Sequence, residues 1–283
     1  MKQLIVTADD FGLAVAVNAA VEEGHKRGVL TAASLMVTGE AAADAIERAR
    51  QMPRLGVGLH LVLVDGKPAL PPDRIPDLVE PDGRFSKNVF RAGVRIFCRP
   101  AAREQLAAEI RAQLEAFRRT GLKLDHVNAH HHFHLHPTVQ RALLRLAPEF
   151  GIRAMRVPLE PRFVGQRARG SRLARFGARM IEARRAASLG RRLDRAGIGR
   201  NDWIFGLADS GAMISERVLR FVDELPDGVS ELYLHPALQR PPDYPAHYLS
   251  RAEFEALVDP AVAGAIKQRQ IRTMAFSGLS EAA

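Results

Sequence analysis

Aspartate and histidine residues stand at the ends of several short apolar runs in this chain. The pair Asp9 and Asp10 follows the first run, and the single histidines His60 and His235 end two later ones. Carboxylate oxygens and imidazole nitrogens are the ligands of catalytic divalent metals, which keep further positions open for water and substrate. A metal held in this way polarises a carbonyl oxygen and lowers the pKa of bound water, which is the chemistry of hydrolysis.

Half of the ten histidines lie within seven residues, at His130, His131, His132, His134 and His136. If this stretch is extended, alternate histidines share one face, because side chains alternate along a strand. The stretch follows an apolar run and ends at a proline before a predicted helix. This context favours a metal-binding or catalytic role over a surface tract with adventitious metal affinity.

Each isolated position also has a simpler interpretation. Asp9 and Asp10 could be turn residues that cap the next helix, and His60 or His235 could be hydrogen-bonded core histidines. Their recurrence at successive strand ends favours one reaction centre, in which a carboxylate accepts a proton from water and a histidine protonates the departing nitrogen. The sequence contains no Gly-x-Ser-x-Gly, Walker or His-Glu-x-x-His motif that would indicate a different hydrolytic apparatus.

Apolar runs rich in β-branched residues alternate with amphipathic segments, which predicts parallel strands joined by helices. The predicted strands are Leu4–Ala8, Ala32–Val37, Gly56–Val62, Leu124–Asn128, Ala154–Val157, Ser230–Leu234 and Ile271–Ala275. Helices are predicted from about Ala101 to Thr120 and from Val15 to Lys26. This pattern favours a single-domain α/β fold, a distorted (β/α) barrel of about seven parallel strands, with an open doubly wound sheet as the alternative.

Two stretches are predicted to be insertions in this single domain of residues 1–283. The first covers about 68–95 and begins with a proline-rich loop, Pro68 to Pro81, over one end of the barrel. The second covers 162–200, which contains twelve arginines and only two acids and accounts for the surplus of a chain with net charge +9. A charge of this sign suggests an anionic partner.

The arginine-rich stretch also carries apolar residues at helical spacing. They are Leu173, Phe176, Met180, Ala183 and Ala187. A basic helix with an apolar stripe suits the surface of an anionic membrane, whereas a solvated helix that packs on the barrel fits equally well. Nucleic acid is not expected as a partner, because aromatic residues do not interleave with the basic ones.

The composition limits the remaining possibilities. Cys98 is the only cysteine, so neither an internal disulfide nor a thiolate metal cluster can form, and any metal needs nitrogen and oxygen ligands. No apolar run has the length of a membrane-spanning helix, and the start is too short for a signal peptide. We therefore expect a cytoplasmic protein, with peripheral contact at the inner face of the membrane as a further expectation.

Four ordered motifs resemble those of the YdjC-like carbohydrate deacetylases. They are Thr7–Leu13, Val57–Leu61, Asn128–His134 and Leu234–Pro236, and they run from the first strand to beyond residue 235, so the resemblance extends over most of the chain. The resemblance implies a distorted barrel related to other polysaccharide deacetylases. It also implies an enzyme, a carbohydrate N-deacetylase, which hydrolyses the amide bond of an N-acetylated sugar.

The resemblance also implies roles for the matching residues. Asp10, His60 and His130 correspond to the ligands of one divalent metal, Asp9 to the general base and His235 to the acid. Zinc suits a set of nitrogen and oxygen ligands best, and nickel, cobalt, iron and magnesium are also compatible with it.

Three further residues belong to the third motif. His132 and His134 match motif histidines that stand behind the ligands or contact substrate. Asn128 begins Asn128-Ala129-His130, where the broader family usually has Asp-Ser-His, and this difference removes a charge beside the site. Any role of the family aspartate is therefore open in this chain.

The closest likeness within the family is to its hopanoid biosynthesis-associated members. This implies a substrate with an N-acetylglucosaminyl group on a bacteriohopane lipid, which is converted to the glucosaminyl lipid and acetate. Alternatives are deacetylation of soluble N-acetylated oligosaccharides, another barrel metallohydrolase such as a phosphoesterase, and a basic scaffold without activity that binds membrane or nucleic acid. The sequence does not indicate an oligomeric state.

Overall fold

The strands of this protein are short, apolar and parallel. The computed structural model describes residues 1–161 and 172–281, with side chains described outside 172–181 and 280–281. The strands are β1 (Lys2–Phe11), β2 (Ala32–Leu35), β3 (Gly56–Leu61), β4 (Val127–Ala129), β5 (Trp203–Phe205), β6 (Gly228–Leu234) and β7 (Arg272–Thr273). Most of their residues are buried, as expected for parallel strands that are covered on both faces.

Nine α-helices are found in the described parts of the chain. They are α1 (Val15–Arg27), α2 (Ala42–Arg50), α3 (Val89–Cys98), α4 (Pro100–Arg119), α5 (Pro137–Phe150), α6 (Arg172–Arg195), α7 (Ser215–Glu224), α8 (Ser250–Val258) and α9 (Pro260–Gln268). Helix α4 matches its prediction within one residue at each end. It buries Leu106, Ile110, Leu114 and Phe117, whose spacing places them on one face.

The strands form one sheet with the order β4-β3-β2-β1-β6-β5, and β7 pairs with Gln3 and Leu4 of β1. All the pairings are parallel. Strand β1 therefore lies in the middle, with β2 on one side and β6 on the other. Because parallel strands end at the same edge, this order brings the ends of β1, β3, β4 and β6 together.

The segment between α5 and α6 links the two edges of the sheet. Val127 of β4 donates to the carbonyl of Ala154 at 3.0 Å, and Ile204 of β5 donates to the carbonyl of Leu159 at 3.0 Å. The prediction of a regular strand over Ala154–Val157 is wrong, because this segment makes only isolated bridges. Pro158 explains part of this, since its nitrogen cannot donate to a strand ladder.

The irregular segment nevertheless occupies the position of a strand between β4 and β5. The sheet therefore curls toward closure, and the prediction of a single-domain α/β fold with a distorted barrel of parallel strands is confirmed. Strand β5 was not predicted. It is only the three residues Trp203–Phe205, which is too short for a periodic pattern to be recognised.

The two predicted insertions differ in how far the structure describes them. The first contains a 3-10 turn at Pro72–Arg74 and the beginning of α3. In the second, residues 162–171 and the side chains of Leu173, Phe176 and Met180 lie outside the described part, whereas Ala183 is exposed and Ala187 half-buried. The insertion boundaries stay predictions. Among the described residues, no helix is both long and apolar enough to cross a membrane.

Two glycines of β3 allow the segment before β4 to pack directly on that strand. A Cβ atom on Gly58 would lie 2.4 Å from Cε1 of His126, and one on Gly56 would lie 2.7 Å from Oδ2 of Asp125. His126 is fully buried and Asp125 is 5% exposed, so neither side chain has free space to move into. Glycine at these positions is therefore a packing requirement.

We predict that Gly58→Ala lowers the free energy of unfolding by about 1–3 kcal/mol, because the added methyl group overpacks the His126 ring. The matched control is Gly264→Ala in α9, where a Cβ would meet no atom within 4 Å. That change should raise the free energy of unfolding by about 0.5–1 kcal/mol, since alanine is the better helix former. Urea unfolding measures both, and a Gly58→Ala variant as stable as the wild type would contradict the packing argument.

Candidate metal centre and active site

Asp9 and Asp10 leave β1 in different directions. The pairing of β1 with β2 shifts register between Ala8 and Phe11, and Asp10 has a positive φ of 62°. A bulge re-aims side chains at a strand end, and a left-handed backbone is costly for residues other than glycine. This local distortion allows both carboxylates to reach the same site from adjacent positions.

Asp10, His60 and His130 converge at the carboxyl edge of the sheet. Oδ1 of Asp10 lies 3.2 Å from Nε2 of His60 and 3.1 Å from Nδ1 of His130. This oxygen is buried and has no hydrogen bond of good geometry among the described residues. Three ligand atoms within 4.8 Å of one another, aimed at a common point, fit a divalent cation with open positions.

The carboxylate of Asp10 and the imidazole of His130 shift each other's pKa. Burial alone would raise the pKa of Asp10, but the charge of His130 and the close contacts of both imidazoles hold it well below its usual range. For His130, burial would lower the pKa, but the Asp10 carboxylate raises it above its usual value. A buried anionic oxygen beside two imidazoles provides a strongly attractive position for a cation.

Asp9 is held by two donors. Arg156 donates from Nη1 to Oδ2 at 2.5 Å and from Nη2 to Oδ1 at 2.9 Å, and Nδ2 of Asn128 donates to Oδ1 at 3.1 Å. Burial would raise the pKa of Asp9, but the Arg156 charge and hydrogen bonds lower it far below its usual value. Asp9 is therefore ionised at neutral pH, with its orientation fixed.

Arg156 is fully buried and is neutralised by a second carboxylate. Its Nη2 donates to Oε1 of Glu231 at 2.7 Å, and its Nε donates to Oε2 of the same residue at 3.1 Å. The guanidinium carbon lies 5.0 Å from the ring centre of Tyr233. A buried charge requires such pairing, because leaving it without a partner costs several kcal/mol.

Arg156 and Glu231 were missed in the reasoning from sequence. The sequence does indicate them, because each is a single charged residue inside a predicted apolar strand. Arg156 lies in Ala154–Val157 and Glu231 in Ser230–Leu234. Charged residues are almost never fully buried unless they are paired. Two opposite charges in two such strands therefore indicate a buried ion pair.

The histidine tract is not extended, so its alternate histidines do not share one face. Residues His130–Leu135 form a 3-10 segment in which His131 and His132 have left-handed φ values of 53° and 52°. The histidines therefore point in different directions. Of the tract histidines, His130 contacts Asp10, whereas Nε2 of His131 lies 3.4 Å from Oδ2 of the partly exposed Asp65.

The later histidines of the tract support the surrounding structure. His134 is buried, and its Nε2 donates to the backbone carbonyl of Arg156 at 3.1 Å. The ring of His132 packs against Tyr233, with 5.2 Å between the ring centres. Burial lowers the pKa of His134 to about 3 and holds that of His132 well below its usual value, so both rings are neutral. His136 caps α5 by accepting from the backbone N–H of Thr138.

His235 follows β6 and lies among tyrosine rings. Its backbone N–H donates to Oε2 of Glu253 at 2.5 Å, and the ring centres of Tyr233 and Tyr248 are 5.4 and 5.1 Å away. Burial lowers the pKa of His235, while the charges of Asp10 and Asp9 oppose this effect. Its Nδ1 is buried and has no hydrogen-bond partner among the described residues.

These residues open into one cavity of about 2300 Å³, which has room for several sugar rings. Six of the eight predicted site residues line it: Asp9, Asp10, His60, His130, His132 and His235. The other two, His134 and Asn128, are buried behind the cavity wall.

Comparison with known proteins gives consistent matches. A carbohydrate deacetylase of Brevibacillus brevis is 41% identical over 150 residues, which are 53% of this chain and 57% of that protein. A carbohydrate deacetylase of Mus musculus is 34% identical over 245 residues, or 83% of this chain and 77% of that protein. The matched region spans 57–61% of the length of the first curated relatives.

A solved structure and a family match extend over nearly the whole chain. A protein of Enterococcus faecalis, described as a candidate cellobiose-phosphate cleavage protein, superposes with a TM-score of 0.77 at 27% identity, covering 98% of both chains. The YdjC-like protein family matches residues 3–268. That range contains Asp10, His60 and His130, and it ends before β7. The chain therefore belongs to the YdjC-like protein family.

Proposed function

We propose that this protein is a metal-dependent hydrolase that removes the acetyl group from an N-acetylglucosaminyl group. The observation that carries the proposal is the convergence of Asp10, His60 and His130 in a cavity that also holds the ionised Asp9 and His235. The carbohydrate deacetylases among its relatives support the same reaction. Addition of water to the acetamide gives acetate and the free amine.

Asp10, His60 and His130 would hold the metal in this reaction. A divalent metal there supplies polarisation of the acetamide carbonyl and a lower pKa for the attacking water. Two imidazoles and one carboxylate favour zinc, and magnesium and other divalent ions are compatible. The buried Oδ1 of Asp10, which has no hydrogen bond of good geometry within the described part of the chain, is the feature that best fits a cation.

Asp9 would accept the proton of the attacking water. Its carboxylate is ionised at neutral pH in the resting site, and the bonds from Arg156 and Asn128 fix where its lone pairs point. A lowered pKa makes Asp9 a weak base in the resting site, so its contribution is mainly one of position. The negative charge of Glu231 offsets part of the effect of the Arg156 charge on Asp9, and this limits the decrease in the basicity of Asp9.

His235 would protonate the departing nitrogen. Because burial lowers its pKa, the ring is neutral in the resting site. Negative charge that develops on the substrate favours the imidazolium form. The proton that Asp9 takes from the water is the one that the ring passes on to the nitrogen, so that the two steps add up to hydrolysis. The ring contacts with Tyr233 and Tyr248 hold it in one orientation toward the cavity.

A glycolipid substrate is the more specific proposal. Phe90, Val94 and Phe97 of α3 line the same cavity and are 81, 46 and 61% exposed. Their spacing places them on one face of the helix, so the cavity has an apolar wall beside a polar centre. Such a wall suits an amino sugar attached to an apolar group. The N-acetylglucosaminyl bacteriohopane implied by the likeness to the hopanoid biosynthesis-associated members is a substrate of this kind. Soluble N-acetylated oligosaccharides are the alternative.

Peripheral contact with an anionic membrane remains part of this proposal. Arg184 and Arg185 of α6 are exposed and line the same cavity as the apolar face of α3. Basic residues beside an apolar surface are attracted to anionic lipid headgroups. The remaining basic residues of the segment 162–200 are described only in part, so the proposal stands on these two.

A two-metal phosphoesterase has one observation in its favour. Asp65, His130 and His131 form a second group of possible ligands beside the first. This group shares His130 with the first, and its other two members are partly exposed and paired with each other at 3.4 Å. The first cluster therefore fits a cation better, and the number of metals bound distinguishes the two reactions.

We predict that Asp10→Ala and His60→Ala each lower kcat/KM for acetate release from N-acetylated chitooligosaccharides by at least about 10³-fold, or about 4 kcal/mol of transition-state stabilisation. The physical reason is loss of a metal ligand. His25→Ala is the matched control, because His25 bonds the carbonyl of Leu30 away from the cavity. Near wild-type activity in either site variant would contradict the proposed centre.

We predict that the wild-type protein binds one zinc ion per chain and that zinc raises its Tm. At a zinc concentration about 100 times Kd, the added stability should be about 2.7 kcal/mol. The His60→Ala variant should show little of this increase, and a chelator should abolish it in the wild type. Elemental analysis that finds two metals per chain would favour the phosphoesterase alternative instead.

We predict that the double variant Phe90→Ser with Phe97→Ser lowers kcat/KM for a lipid-linked N-acetylglucosamine by about tenfold or more, since each exposed ring offers apolar contact. Activity on soluble chitooligosaccharides should change little. Val15→Ser, which removes an apolar side chain 57% exposed on α1, is the control. Equal losses on both substrates would contradict a specific role of this wall in holding lipid.

A further inference from the structure

A continuous chain of buried hydrogen bonds reaches His60 from behind the sheet. His126 is 2.9 Å from Asp125 through Nδ1 and 3.1 Å from Oγ of Ser34 through Nε2. Asn128 then connects Ser34 to Nδ1 of His60, at 2.8 and 2.7 Å. All five side chains are at most 5% exposed. We call Asp125, His126 and Ser34 the hydrogen-bond relay.

The carboxylate of Asp125 determines which atoms of the relay donate and which accept. Its carboxylate accepts from the backbone N–H groups of Phe276 at 3.2 Å and Ser277 at 2.8 Å. Burial would raise the pKa of Asp125, but its bond to His126 and those backbone donors lower it, so the group is an ionised acceptor. The Nδ1 atom of His126 therefore carries the hydrogen that it shares with Asp125.

The remaining bonds follow from this starting point. Nδ2 of Asn128 donates to Oγ of Ser34, so the hydroxyl hydrogen of Ser34 is directed to Nε2 of His126, the other atom that Oγ contacts. The second hydrogen of Nδ2 goes to Oδ1 of Asp9, which is also only an acceptor. Both amide hydrogens are thus assigned, and Oδ1 of Asn128 faces His60.

An acceptor beside Nδ1 fixes the tautomer of His60. The ring donates from Nδ1 to Asn128, so Nε2 is the nitrogen that faces Asp10, 3.2 Å away. A histidine that binds a metal requires this arrangement, because the ligating nitrogen carries no hydrogen and the other nitrogen is oriented by a partner.

We infer that the hydrogen-bond relay is a positioning device for His60, acting through Asn128 to keep Nδ1 protonated and Nε2 free to bind a metal. The inference rests on the metal-binding role given to His60 in the proposed function. The relay residues do not touch the cavity and are positioning residues, not catalytic ones.

The amide at position 128 is essential to this arrangement. An aspartate there could accept from His60, but it has no N–H to give to Ser34 or Asp9. It would also place a second carboxylate within about 3.1 Å of Asp9, where two like charges repel. The relay and the asparagine thus form one consistent set of donors and acceptors.

Another interpretation of the same residues is a nucleophilic serine, because Ser34, His126 and Asp125 have the bonding order of a Ser-His-Asp triad. Ser34 is fully buried and does not line the cavity. No substrate carbonyl can reach its hydroxyl without opening the sheet, so the geometry supports a positioning role.

The test uses the zinc-loaded full-length protein with ¹⁵N-labelled histidine rings, assigned by comparison with His60→Gln and His126→Gln. In the wild type, both His60 and His126 should be protonated at Nδ1 and unprotonated at Nε2. A hydrogen on Nε2 of either ring in the wild type would overturn the inference, and this measurement needs no relay variant.

Ser34→Ala is the direct test of the relay. It should leave His60 as a mixture of ring states and weaken the affinity for zinc alone about tenfold or more, as loss of an orienting partner does. Ser230→Ala is the matched control, because Ser230 is equally buried in β6 but its hydroxyl has no hydrogen-bond partner in the described part of the protein. The control should bind zinc like the wild type.

Unchanged zinc affinity and an unchanged His60 spectrum in Ser34→Ala would overturn the inference, as would an equal loss of affinity in Ser230→Ala. Neither measurement needs a substrate. If zinc binding follows the expected pattern and no acetylated sugar is hydrolysed, the relay stands and the proposed deacetylase activity fails. The two conclusions can therefore be distinguished.

Discussion

The guanidinium of Arg156 between two carboxylates is the interaction on which the site depends. It joins Asp9 at the end of β1 to Glu231 of β6, and its own backbone lies in the irregular segment that links β4 to β5. Removal of one member of such a buried set typically costs about 3–5 kcal/mol, because an unpaired charge is left behind. The same group thus holds the curled sheet together and orients the Asp9 carboxylate beside Asp10, His60 and His130.

Much of the site was predictable because residue type and strand position act together. Asp10, His60 and His130 stand at the ends of predicted parallel strands, and such ends meet at one edge of a sheet. The directions of the tract histidines were not predictable, because nothing in the sequence indicates the left-handed backbone of His131 and His132. The same limit applies to Ala154–Val157, whose strand ladder is broken by Pro158 and by the need to aim Arg156 inward.

The cavity combines two chemically different surfaces. Its floor is polar and strongly charged, with carboxylates, imidazoles and tyrosine hydroxyls, whereas the face of α3 presents Phe90, Val94 and Phe97. The strands that form the floor are the elements the sequence predicts best. The wall comes from a segment that was expected to be an insertion, so the polar and the apolar surface of the cavity come from different parts of the chain.

Gly58 has a consequence beyond its packing. The volume that a side chain at position 58 would occupy is already filled by the imidazole of His126. The two positions therefore constrain each other, and a related chain with alanine or a larger residue at 58 must have moved or replaced the imidazole. The identity of one strand residue should thus indicate which relatives can keep an imidazole packed against this strand and which cannot.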